Sequence, residues 1–118
     1  MTQFELEHPD VDDPGVVILV PTGELDLTNA HGFEERMEGV ISPMGGSSLV
    51  LDLTRLAFID SAGLHVLFRT ARRLSKERFG LVVEPASPIA RTLEIVGISG
   101  VATLGGSVDD LLAVLSPA

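Results

Sequence analysis

The run Leu49-Val50-Leu51-Asp52-Leu53 constrains this fold more than any other stretch. A strand with one wet face alternates apolar and polar residues. A nearly unbroken apolar run needs cover on both faces, as an interior strand of a parallel sheet has. Other short strand-like runs are predicted at Phe4 to Glu7, Val16 to Val20, Leu81 to Glu84 and Val101 to Leu104. Phe4 to Glu7 alternates apolar and acidic residues, which fits an edge strand. It is joined to Val16 to Val20 by the turn Asp10 to Gly15, so the two form a hairpin. Pro21 cannot donate to a ladder, and the second strand is expected to end or bulge there.

Helical periods separate these runs. Thr28 to Ile41 is expected to be a helix with Thr28 as N-cap and Ala30, Phe33, Met37 and Val40 on its inner stripe. Ser42-Pro43-Met44-Gly45-Gly46 stops it. A second helix starts near Ser61, with Leu64, Leu67, Phe68, Ala71 and Leu74 inward and His65, Arg69, Arg72, Arg73 and Lys76 outward. Ser87-Pro88 reads as an N-cap followed by proline at the first helical position. Ile89, Leu93 and Val96 form that helix's inner stripe, and Gly97 ends it. Ser107-Val108-Asp109-Asp110 opens a last helix. The alternation predicts one α/β domain over residues 1–118. Its mixed sheet has five strands, the first antiparallel at the edge, with about four helices.

Composition removes several function classes. The chain has 118 residues, 45% of them hydrophobic, which excludes a disordered chain. Its net charge is -9. Such a surface repels phosphate backbones and anionic membranes, so direct nucleic-acid or membrane binding is not expected. With Cys 0, disulfides, thiolate nucleophiles and thiolate zinc sites are out. His8, His31 and His65 fall in three different elements without ligand spacing, so no metal site is expected. The N-terminal residues lack a basic and apolar leader pattern, so a cytoplasmic protein is expected.

Two segments could carry chemistry. In Phe58-Ile59-Asp60-Ser61-Ala62-Gly63-Leu64, Phe58 and Ile59 read as loop residues packed beneath a helix start. Asp60 and Ser61 stand where a helix offers unpaired N–H groups, so they either cap the helix or form an anion site. The small Ala62 and Gly63 would let a partner approach the Ser61 hydroxyl. In Gly23-Glu24-Leu25-Asp26-Leu27-Thr28, the carboxylates could bind Mg²⁺, act as acid and base, or make turn hydrogen bonds. Asp26 is expected near Asp60 and Ser61 at one edge of the sheet. Arg69, Arg72, Arg73, Lys76 and Arg78 form either a docking patch for an acidic partner or a solvated helix face.

These segments, with the weaker stretch Leu93-Glu94-Ile95-Val96-Gly97-Ile98, resemble STAS domains of the bacterial anti-sigma factor antagonist family across nearly the whole chain. The resemblance implies a phosphorylation switch rather than an enzyme. An ATP-dependent serine/threonine kinase that is also the anti-sigma factor would phosphorylate Ser61, and a PP2C-type phosphatase would reverse this. The unphosphorylated form would bind the anti-sigma factor and release sigma factor. The contact residues implied are Asp26, Asp60, Ser61, Ala62, Gly63 and His65, and no cofactor is implied. Ala62 stands where relatives often carry Ser or Thr, and His65 where many carry a small residue. Two other readings remain at this point: a STAS module binding a nucleotide or scaffolding a signalling assembly, and an enzyme using Ser61 as nucleophile.

Overall fold

The computed structural model describes residues 4–10 and 13–115. Residues 11 and 12 of the expected Asp10 to Gly15 turn lie outside the described residues. What is described of it has the Val16 amide donating to the Asp13 carbonyl at 3.2 Å. The elements are β1 (Phe4–Glu7), β2 (Val16–Leu25), α1 (Ala30–Ile41), β3 (Ser48–Asp52), β4 (Leu56–Ile59), α2 (Ser61–Leu74), β5 (Phe79–Val82), α3 (Pro88–Val96), β6 (Thr103–Gly105) and α4 (Val108–Leu112). Short 3-10 turns at Lys76–Arg78 and Ile98–Gly100 lead into β5 and towards β6.

The sheet order is β1-β2-β3-β5-β6, with β4 also on β2. β1 pairs antiparallel with β2, and every other pairing is parallel. β3 lies between β2 and β5, and Leu49, Val50 and Leu51 are wholly buried, as the apolar run requires. Alternate residues face two separate cores. Leu49, Leu51, Phe79 and Leu81 pack with Phe33 and Met37 of α1, Leu67 of α2 and Leu93 of α3. Val16, Ile18, Val50 and Val82 pack on the opposite face with Leu111 and Leu115, at and beyond α4. Each fully buried aliphatic or aromatic side chain of this kind contributes about 1.5–3 kcal/mol.

The sheet has six strands rather than the expected five. The extra one is β4, which had read as a loop. The Leu53–Leu56 turn, closed by the Leu56 amide on the Leu53 carbonyl at 3.1 Å, separates it from β3. Asp52 Oδ1 accepts from the Thr54 amide and hydroxyl at 3.0 and 2.6 Å and holds this turn. β4 then continues along β2, its pairing slipped by two residues between Leu19↔Leu51 and Leu25↔Ile59. The irregularity falls between Gly23 and Glu24, and Gly23 takes φ +105°, a conformation that favours glycine. Strand geometry turns Ile59 into the core and Phe58 outward at 48% exposure, so Phe58 does not pack beneath the helix.

Other boundaries moved for local reasons. β2 runs through Pro21 to Leu25 instead of ending near Val20. Pairing with β3 stops at Leu19 and pairing with β4 starts at Gly23, so Pro21 falls in the gap between those ladders. α1 starts at Ala30, because the Thr28 hydroxyl is spent on Asp26 Oδ1 at 2.5 Å and Asn29 occupies the cap position. Val96 is 38% exposed, so the inner stripe of α3 is Ile89, Ala90 and Leu93. The Ser87 and Ser107 caps form as expected, accepting from the Ala90 and Asp110 amides at 3.1 Å each. Gly97 ends α3 in the left-handed conformation, φ +75°.

Candidate functional site

The parallel pairing of β2 and β4 brings their carboxyl ends together. The Asp60 amide donates to the Leu25 carbonyl at 3.1 Å, which locks the strand exits side by side. Asp60 then caps α2. Its Oδ1 accepts from the Ala62 amide at 2.9 Å and the Gly63 amide at 3.2 Å, while its carbonyl accepts from Leu64 at 3.0 Å. The second carboxylate oxygen reaches across the site and accepts from the Leu27 amide at 3.1 Å. One half-buried carboxylate therefore ties the start of α2 to the loop entering α1.

That loop is closed by its own bonds. Asp26 Oδ1 accepts from the Thr28 amide at 2.9 Å as well as from its hydroxyl, and the Asp26 carbonyl accepts from Ala30 at 2.8 Å. Asn29 Oδ1 accepts from the Asp26 amide at 3.0 Å, and Asn29 Nδ2 donates to the Glu24 carbonyl at 2.7 Å. The structure thus brings Asp26, Asp60 and Ser61 to one edge. Asp26 takes the turn-forming role among those open to it. Among the described residues, no group of three or more His, Asp and Glu side chains converges as a metal centre would.

Ser61 is the first residue of α2 and is exposed, Ala62 is half-buried, and His65, one turn on, is exposed. Gly63 is different: it is buried. A Cβ there would lie 2.8 Å from Ile59 Cγ1 and 2.8 Å from Leu25 Cγ. Its missing side chain lets α2 descend onto β2 and β4 and offers no surface to a partner. The helix end is also no open anion site, since Asp60 already takes the amides of Ala62 and Gly63. Of the two readings open for this segment, the cap is the one formed, and a negative group added at Ser61 would meet the Asp60 carboxylate beside it.

Three of the five cations in the expected patch are committed to internal contacts. Arg69 holds Glu34 of α1 in a bidentate pair, with bonds of 2.6 and 2.9 Å, and Arg73 pairs with Glu38. Arg78 donates to the carbonyls of Ser47 and Gly45. The docking-patch alternative therefore loses Arg69, Arg73 and Arg78 as free cations. The hydrogen bond from Arg69 holds the Glu34 carboxyl below its ordinary range; partial burial opposes this, and the charges of Arg69 and His31 add to it. The same pairing raises the Arg69 guanidinium. A shallow recess of about 210 Å³ lies between the amino-terminal halves of α1 and α2; Leu27, Ala30, Ala62, His65, Glu34 and Arg69 are among the residues lining it.

Sequence reasoning missed β4, the exposed Leu27 and the helix-to-helix ion pairs. A signal for the pairs was present: Glu34 and Glu38 repeat at four residues on α1, as Arg69 and Arg73 do on α2. Helices that follow parallel strands run alike, so the two rows match.

Residues 9–111 match the STAS domain family. The chain is 30% identical over 102 residues to the anti-sigma-F factor antagonist RsfB of Mycobacterium tuberculosis, an alignment covering 86% of this chain and 82% of that one. Among solved structures it is similar to an anti-sigma factor antagonist from Mycobacterium paratuberculosis, with TM-score 0.82, 28% identity and coverage of 96% and 94% of the two chains. The fold also recurs as 17% of the murine Solute Carrier 26 family member A9 anion transporter; there the TM-score is 0.66, with 18% identity over 84% of this chain. With its Asp60-capped helix, Ser61 exposed at that helix's first turn and most of its length matched, the chain belongs to the STAS domain family, and its relatives include anti-sigma factor antagonists.

Proposed function

We propose that this chain is an anti-sigma factor antagonist switched at Ser61. Unphosphorylated, it binds an anti-sigma factor that is also an ATP-dependent serine/threonine kinase, and so frees sigma factor. Phosphorylation at Ser61 ends that binding, and a PP2C-type phosphatase restores it. The protein acts in the cytoplasm and performs no catalysis of its own. Asp26, Asp60, Ser61, Ala62 and His65 frame the contact, with Gly63 supporting it from below.

The observation that carries this reading is an exposed Ser61 hydroxyl beside helix donors already occupied by Asp60. A phosphoserine carries about -1.5 to -2 charge at pH 7. With Asp60 next to it, that charge has no ready internal compensation and would have to be desolvated at an interface. Leaving a buried charge unpaired costs about 2–5 kcal/mol, enough to weaken a complex by about 30- to 5,000-fold.

The test compares wild type, Ser61→Ala and Ser61→Asp for binding to the anti-sigma factor kinase. Wild type and Ser61→Ala should bind and Ser61→Asp should not. Kinase and ATP should add one phosphate, mapped to Ser61. Equal binding by all three variants, or phosphate at another residue, would refute the switch. The alternative of a nucleotide-binding module is less well supported. Two depressions beyond the strand ends hold about 220 and 240 Å³, and the charged residue lining each, Glu84 and Glu94, repels phosphate. Small-molecule sites usually need about 300 Å³ or more.

A further inference from the structure

Leu27 is 80% exposed, although the loop that carries it is held on both sides. Its own amide is bonded to Asp60 Oδ2 at 3.1 Å, and its neighbours Asp26 and Thr28 are bonded to each other. A rigidly presented aliphatic side chain loses little entropy when a partner covers it, which is the property of an interface anchor. The recess beside it opens at Ala30 and Ala62. Its guanidinium, Arg69, is already neutralised by Glu34 through two bonds. His31, which also lines the recess, is paired with Glu35 at 2.7 Å, and His65 stands at its rim. The recess thus presents no free arginine to an acidic group, and Leu27, Ala30 and Ala62 give it an apolar wall.

We infer that Leu27 and the α1–α2 recess anchor the docking surface by taking an apolar side chain of the anti-sigma factor. The inference rests on the function proposed above and names the chemistry of that contact. It also makes Asp60 a positioning residue. The carboxylate that caps the helix bearing Ser61 is the one that holds Leu27, so burial of Leu27 draws the Ser61 hydroxyl to the edge of a dry contact. Charge placed on Ser61 is then most costly where the apolar anchor is strongest.

The test uses the full chain and the purified anti-sigma factor, with binding measured by calorimetry. Leu27→Ser should bind at least about tenfold more weakly, with its urea midpoint unchanged, since an exposed side chain contributes little to folding. Ile95→Ser, at an equally bare position on α3 (77% exposed), should bind like wild type. Wild-type affinity in Leu27→Ser, or an equal loss in Ile95→Ser, overturns the anchor while leaving the Ser61 switch standing. If wild type and Ser61→Ala themselves bind no anti-sigma factor, the proposed function fails and the anchor with it.

Discussion

Gly63→Ala is a sharp test of how this site is built. In an open helix position the change stabilises, because alanine is favoured over glycine by about 0.8–1 kcal/mol. At Gly63 the new methyl would sit 2.8 Å from Ile59 Cγ1 and from Leu25 Cγ. Both are atoms near the root of buried side chains, at 7% and 0% exposure, so neither swings away freely. Overpacking of this kind costs about 1–3 kcal/mol. It outweighs the propensity gain, which is in any case reduced in the first turn, and the net expectation is a loss of about 1–2 kcal/mol. With a urea slope of about 1–3 kcal/mol per molar, the midpoint should fall by roughly 0.3–2 M. Gly39→Ala is the control: it is the same change in α1, where no atom lies within 4 Å, and its midpoint should rise. If Gly63→Ala raised the midpoint as Gly39→Ala does, the close seat of α2 on Leu25 and Ile59 would be wrong.

Two further perturbations probe the clamp and the ion pair. Asp60→Ala removes the cap of α2 and should cost about 0.5–2 kcal/mol; hydrogen exchange at the Leu27 amide should accelerate with it, and an unchanged rate there would contradict the tie between loop and helix. Glu34 has a folded-state pKa below its ordinary value, so its contribution is present above the unfolded value, about 4.3, and is lost as pH falls through the lower folded value. Glu34→Gln should therefore narrow its stability gap to wild type as pH drops below about 4, as read by urea unfolding across pH. A gap that widened towards low pH would reverse the assigned sign.

Much of the architecture was legible from the chain because the physics behind it is local. The unbroken run at Leu49 to Leu53 needs two covered faces wherever it is placed, and β3 has them. Ser87 and Ser107 cap helices because their hydroxyls reach amides three residues on, and Gly97 ends one because glycine takes the left-handed conformation readily. Asp60 and Ser61 were recognisable as a helix start for the same reason. The meeting of Asp26 with Asp60 and Ser61 at one sheet edge was expected from the strand order, but tertiary structure decided the other contacts between distant residues. β4 is four residues long, and two of them face outward, so only its partner β2 makes it a strand. Gly63 looked like clearance for a visitor until Leu25 and Ile59 were seen beneath it. Three arginines looked available until α1 and the Gly45–Ser47 loop were found to hold them. The same holds for Asp60: its cap is a bond of two or three residues' reach, while its grip on Leu27 spans 33, a contact that no local pattern encodes and only the parallel pairing of two strand ends creates.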